Sequence, residues 1–295
     1  MSRRFSLKLA RQTAEAFLRD EGIKELPVDP FAIAESRDIV VQAKPQEHDG
    51  VSGMLLRHGN EFGIIYATHI PSLGFQRFSV SHELGHYFLP GHIEHVLKDG
   101  PHVSRAGFVT NDLFELEADH FAAGLLMPET PFRSALNRYE PGLDAIKAVA
   151  EICITSRTAT AIRFAELTDI AAAVIVSTDG TIDYCFMSEA MKSLPKLDWL
   201  RKGSSLPPGT KTARLAERRD AVVAGEEVVD EVDVRDWLGG TKPSLVSEES
   251  IGLGQYGKVL TVLVSTSIGQ EGLGDEDLED EDADLLDSWT PRFRR

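Results

Sequence analysis

A chain of 295 residues with 42% apolar and 26% charged side chains carries material for one large or two to three small cores. That mix excludes collagen-like, mucin-like and wholly disordered classes, and no run of about 18 uncharged apolar residues predicts a membrane-spanning helix. The net charge of −16 is uneven: ten acidic and no basic residues lie between Lys258 and Arg292, which leaves about −6 elsewhere and argues against a broad basic nucleic-acid footprint.

From the start, Leu7, Ala10, Ala14, Phe17 and Leu18 form a helical stripe. Asp29-Pro30 reads as a cap followed by a first-turn proline, so a short helix is expected after it. Ile39–Val41 is β-prone, and residues 52–57 and 62–67 flank His58-Gly59-Asn60-Glu61 as a hairpin. Ser72 can cap a helix that Pro90 stops, and a second long helix is expected over about 112–126. Thr130-Pro131 restarts a helix, and two more fit 143–152 and 156–167. Beyond Thr168 the character changes. Residues 171–177 and 181–187 surround Asp179-Gly180, the strongest hairpin signal in the chain, and Tyr256–Thr266 reads as a strand.

This pattern predicts an α+β protein with a first domain over 1–128 and a helix-turn-helix-like segment over 129–168. An α+β sensor or recruitment module is expected over 169–268, then a disordered acidic tail over 269–295. The opening MSRRFSLKLARQ lacks an apolar stretch of the secretory kind, and Cys153 and Cys185 read as buried thiols. Both point to a reducing cytoplasm.

The chemistry concentrates in His82-Glu83-Leu84-Gly85-His86. Residues four apart share one face of a helix, about 5–6 Å apart at Cβ, so two imidazoles there can meet one Zn²⁺. Glu83, beside the first ligand, is placed to take a proton from the attacking water rather than to bind the metal. A catalytic zinc needs a third protein ligand. Glu115 on the second helix supplies a carboxylate, and Asp119, one turn later, can accept the distal N–H of a zinc-bound histidine. Glu117, by the helical period, turns away from Glu115 and reads as a solvent-facing charge.

Here the sequence resembles a known family. RFSVSHELGH over residues 77–86 and ELEADHFAAGLLMP over 115–128 are similar to the ImmA/IrrE metallopeptidases, gluzincin-like enzymes, with the resemblance strongest over about 1–167. It implies a zincin-like fold and a zinc endopeptidase whose protein substrates are helix-turn-helix repressors of phage, mobile-element or stress regulons. His82, His86 and Glu115 match the ligands, Glu83 the catalytic base, and Asp119 a position held by Asp or Asn. In some members the C-terminal module is GAF-like. The resemblance names no oxyanion donor; Tyr66, Tyr87, His92 and His95 are candidates. A substrate strand is expected on an exposed edge of the 52–67 hairpin.

Other signals weigh less. His92, His95, His102 and His120 match no usual ligand spacing and read as surface or supporting histidines rather than a second metal site. Gly252-Leu253-Gly254-Gln255-Tyr256-Gly257 fits a dinucleotide fingerprint on paper, but no strand is seen leading into it and no helix opens from it, so it reads as a mobile loop. The helices around Ile152–Ser156 offer Arg157 and Arg163 but also Glu166, and are read as structural or docking elements before DNA-binding ones. The competing class is a DNA- or protein-binding regulator with a mainly structural zinc.

Overall fold

The computed structural model describes residues 3–44, 51–105 and 112–265. It is a mixed α+β fold whose described residues divide into two units, 3–135 with 149–159, and 136–148 with 160–265. The acidic tail foreseen for 269–295 lies outside the described residues.

In chain order the first unit begins with α1 (Arg3–Asp20), α2 (Pro30–Glu35), β1 (Val40–Lys44), β2 (Val51–His58), β3 (Glu61–Ala67) and α3 (Leu73–Phe88). Next come α4 (His92–Val96), β4 (His102–Arg105), α5 (Leu113–Leu126) and α6 (Glu129–Leu136). Helices α7 (Leu143–Cys153) and α8 (Arg157–Leu167) contribute residues to both units. Local chemistry sets most of these ends. Asp29 caps α2 through Phe31 N at 2.9 Å with Pro30 at the first helical position, and Ser72 caps α3 through Phe75 N at 3.3 Å. Asp112 does the same for α5 through Phe114 N. The α6 helix starts at Glu129, two residues before Pro131. The proline is tolerated there because first-turn N–H groups have no intrahelical partner.

The first sheet runs β1-β3-β2-β4, with β1 parallel to β3 and the other pairs antiparallel. Its inner face buries Leu55 and Ile64 against Val80 and Leu84 of α3, and the same core takes Phe121 and Leu125 of α5 and Ala10, Ala14 and Leu18 of α1. The close approach of α3 to α5 depends on small residues. A Cβ at Gly85 would lie 3.0 Å from Ala118 Cα and 3.1 Å from its carbonyl oxygen. Gly85→Val is therefore expected to cost about 1–3 kcal/mol by overpacking, read as a lower denaturation midpoint.

The order of this sheet corrects one expectation. Neither strand of the 52–67 hairpin has a free edge, because β1 covers β3 and β4 covers β2. On the β2 side, β4 is the edge strand of the sheet among the described residues.

The second unit contains β5 (Ala171–Thr178), β6 (Thr181–Met187), α9 (Glu189–Lys192), α10 (Lys211–Ala216) and α11 (Arg219–Ala224). It continues with β7 (Glu227–Asp233), α12 (Val234–Leu238), β8 (Leu245–Gly252) and β9 (Lys258–Ser265). Its sheet is fully antiparallel in the order β6-β5-β9-β8-β7. Asp179 and Gly180 both take positive φ (48° and 77°), as the predicted two-residue hairpin turn requires. Between β8 and β9, Gly254–Tyr256 form a 3₁₀ turn, and Leu253 N donates to Lys258 O at 2.8 Å. A strand does lead into this glycine-rich run, contrary to the sequence reading. The run feeds directly into another strand and no helix opens from it, so it is a hairpin connection.

Candidate metal centre

The site lies within the first unit, where the C-terminal half of α3 meets the first turns of α5. Here His82 and His86 stand one turn apart, both buried, with their Nε2 atoms 3.1 Å apart. Glu115 faces them: its Oε2 is 3.4 Å from His82 Nε2 and its Oε1 is 3.4 Å from His86 Nε2. Four ligand atoms about 2.0–2.1 Å from a tetrahedral ion stand roughly 3.3 Å from one another, so these separations match the edges of such a site.

The histidine tautomers can be traced outward. His82 Nδ1 lies 2.8 Å from Asp119 Oδ1, and a carboxylate only accepts, so this nitrogen carries the proton and Nε2 the lone pair. His86 Nδ1 lies 3.1 Å from His92 Nδ1, and His92 Nε2 lies 2.9 Å from Glu117 Oε2. By the same logic His92 donates to Glu117 and accepts from His86, which leaves a lone pair on His86 Nε2. Three electron-rich atoms thus converge, an arrangement that repels itself unless a cation or proton sits among them.

Titration reflects this crowding. In the metal-free protein, burial opposes charge on His82, but hydrogen bonds and charges from Asp119 and Glu115 outweigh it and hold the imidazole well above its ordinary range. Burial pushes His86 down to about 3, against the pull of Glu115. Burial likewise disfavours charge on Glu115, yet hydrogen bonds from His102, His82 and His86 hold its carboxyl far below the usual range.

Glu83 is fully buried beside His82. Its Oε1 accepts from Ser104 Oγ of β4 at 2.6 Å, while its Oε2 has no hydrogen-bond partner among the described residues. Burial raises its pKa, opposed by His82, His102 and Ser104, so the carboxylate is more basic than usual. On the other side β2 presents Gly53, where a Cβ would sit 2.7 Å from Glu83 Oε1. Gly53→Ala is expected to swing the carboxylate off Ser104. If Glu83 is the base that the sequence resemblance implies, peptide turnover should fall about 10²-fold, with fold and metal content unchanged. Parallel turnover, metal-content and unfolding measurements check this.

Two residues depart from the sequence reading. Glu117 is not a solvent-facing charge: its side chain is 15% exposed, accepting from Ser6 of α1 and from His92. His102, read as a surface or supporting histidine, reaches the cluster from β4, with Nε2 3.0 Å from Glu115 Oε1 and 3.2 Å from Ser104 Oγ. His82, His86, His102 and Glu115 together form a group that could hold a metal ion. No sequence spacing announces His102, because only the pairing of β2 with β4 (Leu55 opposite His102) brings it in. Of the other candidates, Tyr66 packs edge-on to Phe31, Tyr87 edge-on to Phe62, and His95 stacks on Phe114 at 3.8 Å. His120 lies 2.8 Å from Arg11, away from the ligand group.

A small sheet under a helix that carries His-Glu-x-x-His, with a carboxylate from a second helix, defines the class of α+β metallopeptidase-like folds. Residues 34–164 match the family model of Peptidase_M78, the IrrE N-terminal-like domain, consistent with an ImmA/IrrE family peptidase. Among solved structures, a Mycobacterium tuberculosis transcriptional regulator aligns with a TM-score of 0.53 over 88% of this chain and 77% of its own, at 15% identity, a likeness of fold alone. No curated protein matches the chain in sequence.

Proposed function

We propose that this protein is a zinc endopeptidase of narrow specificity that cuts a helix-turn-helix repressor, with His82, His86 and Glu115 as metal ligands. Asp119 orients His82, and Glu83 is the catalytic base. The observation that carries the reading is the convergence of the two Nε2 lone pairs with the Glu115 carboxylate at tetrahedral edge distances, beside a buried carboxylate oxygen with no partner among the described residues. Nitrogen and carboxylate donors of this kind suit zinc, which would lower the pKa of a bound water to about 7. Glu83 takes the proton of the attacking water and returns it to the leaving amine. The open edge of β4 suits an extended peptide, since Ser104 on that strand already holds Glu83.

The second unit, with its antiparallel β6-β5-β9-β8-β7 sheet, is read as the sensor or recruitment module. The cytoplasm is the compartment proposed. Cys153 and Cys185 are free and buried, and among the described residues no helix is long and apolar enough to cross a membrane.

One observation favours the regulator reading: His102 as a fourth protein ligand would close the site, as structural zinc sites are closed. Against it, the ligating histidines of such sites have their other nitrogen tied down, as His82 and His86 do. The Nδ1 of His102 makes no hydrogen bond among the described residues. Direct DNA reading by α8 is disfavoured as well, because Arg163 is 2% exposed and paired with Glu166. The test is incubation of the zinc-loaded full chain with a helix-turn-helix repressor encoded beside it. Discrete fragments that vanish with chelator, and slow attack on casein, are expected. No cleavage together with tight operator-DNA binding would favour the regulator instead.

A further inference from the structure

We infer that His92 and Glu117 are positioning residues that lock His86 in its metal-ready tautomer, an inference that rests on the metallopeptidase reading above. The two histidine ligands of that reading are supported differently. His82 leans directly on a carboxylate, Asp119, from the same helix that carries Glu115. On its Nδ1 side His86 meets no carboxylate directly but leans on a second imidazole, His92, which leans on Glu117.

The parts of this relay come from four places. Helix α3 ends before Pro90, and Gly91 at φ 82° turns the chain so that His92 opens α4 and returns beneath His86, 1% exposed. Phe114, at the start of α5, packs edge-on to the His92 ring with centroids 4.9 Å apart and fixes its plane. Glu117 gives one oxygen to His92, and Ser6 of α1 donates to the other. Both oxygens of that carboxylate are therefore engaged, and it cannot swing to serve the ligand cluster.

The direction of the relay is forced. Glu117 can only accept, so the proton of neutral His92 sits on Nε2 and its Nδ1 can only accept. The nitrogen of His86 that meets it must then donate, and His86 Nε2 is left free of hydrogen. Without the relay, His86 can adopt the opposite tautomer and present an N–H to the metal position. Partners of this kind behind ligating histidines are worth roughly 10–100-fold in metal affinity.

The experiment is zinc affinity of the full chain, by competition with a chromophoric chelator, for wild type, His92→Phe, His92→Gln and Glu117→Gln. Thermal unfolding of each metal-free protein runs alongside. We expect His92→Phe to bind zinc roughly 10–100-fold more weakly. His92→Gln should recover much of the loss, since its amide can accept from His86 and donate to Glu117. Glu117→Gln should also weaken binding, because its amide can donate to His92 and reverse the chain. If His92→Phe unfolds without metal, the isosteric Glu117→Gln decides. Unchanged affinity in folded His92→Phe and Glu117→Gln, with stoichiometric zinc in wild type, overturns the relay alone. Wild type that takes up no zinc overturns the metallopeptidase reading, and the relay with it.

Discussion

On the proposed reading, Glu83→Gln is expected to abolish measurable repressor cleavage while zinc uptake stays at the wild-type level. Glu83 contributes no atom to the ligand group, so the exchange leaves His82, His86 and Glu115 as they are. Gln keeps the shape of the side chain and can still accept from Ser104, but it cannot hold the proton taken from the attacking water. General acid–base groups are worth about 10²–10⁴ in rate. The buried setting of Glu83, which raises its basicity, argues for the upper part of that range. Single-turnover cleavage of the repressor, with zinc content measured on the same samples, checks the split. Equal activity of the two proteins would remove Glu83 from the mechanism, and loss of zinc along with activity would make it a structural residue.

Glu115→Ala is expected to have the second large effect, on metal binding itself. Its carboxylate spans both imidazoles at 3.4 Å, and no other acidic side chain belongs to the ligand group found among the described residues. Zinc affinity should drop by more than about 10², beyond what the loss of an outer partner costs. The loss also appears as stability: zinc at 100 times its dissociation constant stabilises the wild type by about 2.7 kcal/mol, and the variant should show no zinc-dependent rise in melting temperature. In the metal-free protein the sign runs with pH. A carboxyl held below its unfolded value contributes stability present above about pH 4.3 and lost as the medium is acidified. Melting of metal-free wild type and Glu115→Ala across that window should converge at low pH. A variant that still melts higher with zinc would show that His102 and the two helical histidines suffice.

Much of the first unit was legible because its signals are local. The caps at Asp29 and Ser72 and the stop at Pro90 act within four or five residues, where sequence and geometry are nearly the same thing. The ligand spacing belongs with them, since a four-residue step on a helix fixes the distance between His82 and His86. The second unit was harder to read. Strand β7, EVVDEVD, hides its alternation under acidic residues. Strand β8 buries Glu248, and only Thr212 and Trp237, brought in from α10 and α12, make that burial tolerable.

Sequence alone therefore determined the helix carrying His82, Glu83 and His86, the facing Glu115–Asp119 turn, and the α+β class, because helical periodicity and capping are short-range rules. Only tertiary structure decided which charges around that pair have work to do. Helical period turned Glu117 away from Glu115, yet α1 and α4 close over it with Ser6 and His92. His102 enters through strand pairing with β2 across 47 positions of chain, from Leu55 to His102. A side chain's neighbours across such separations depend on how whole elements stack, which no local spacing encodes.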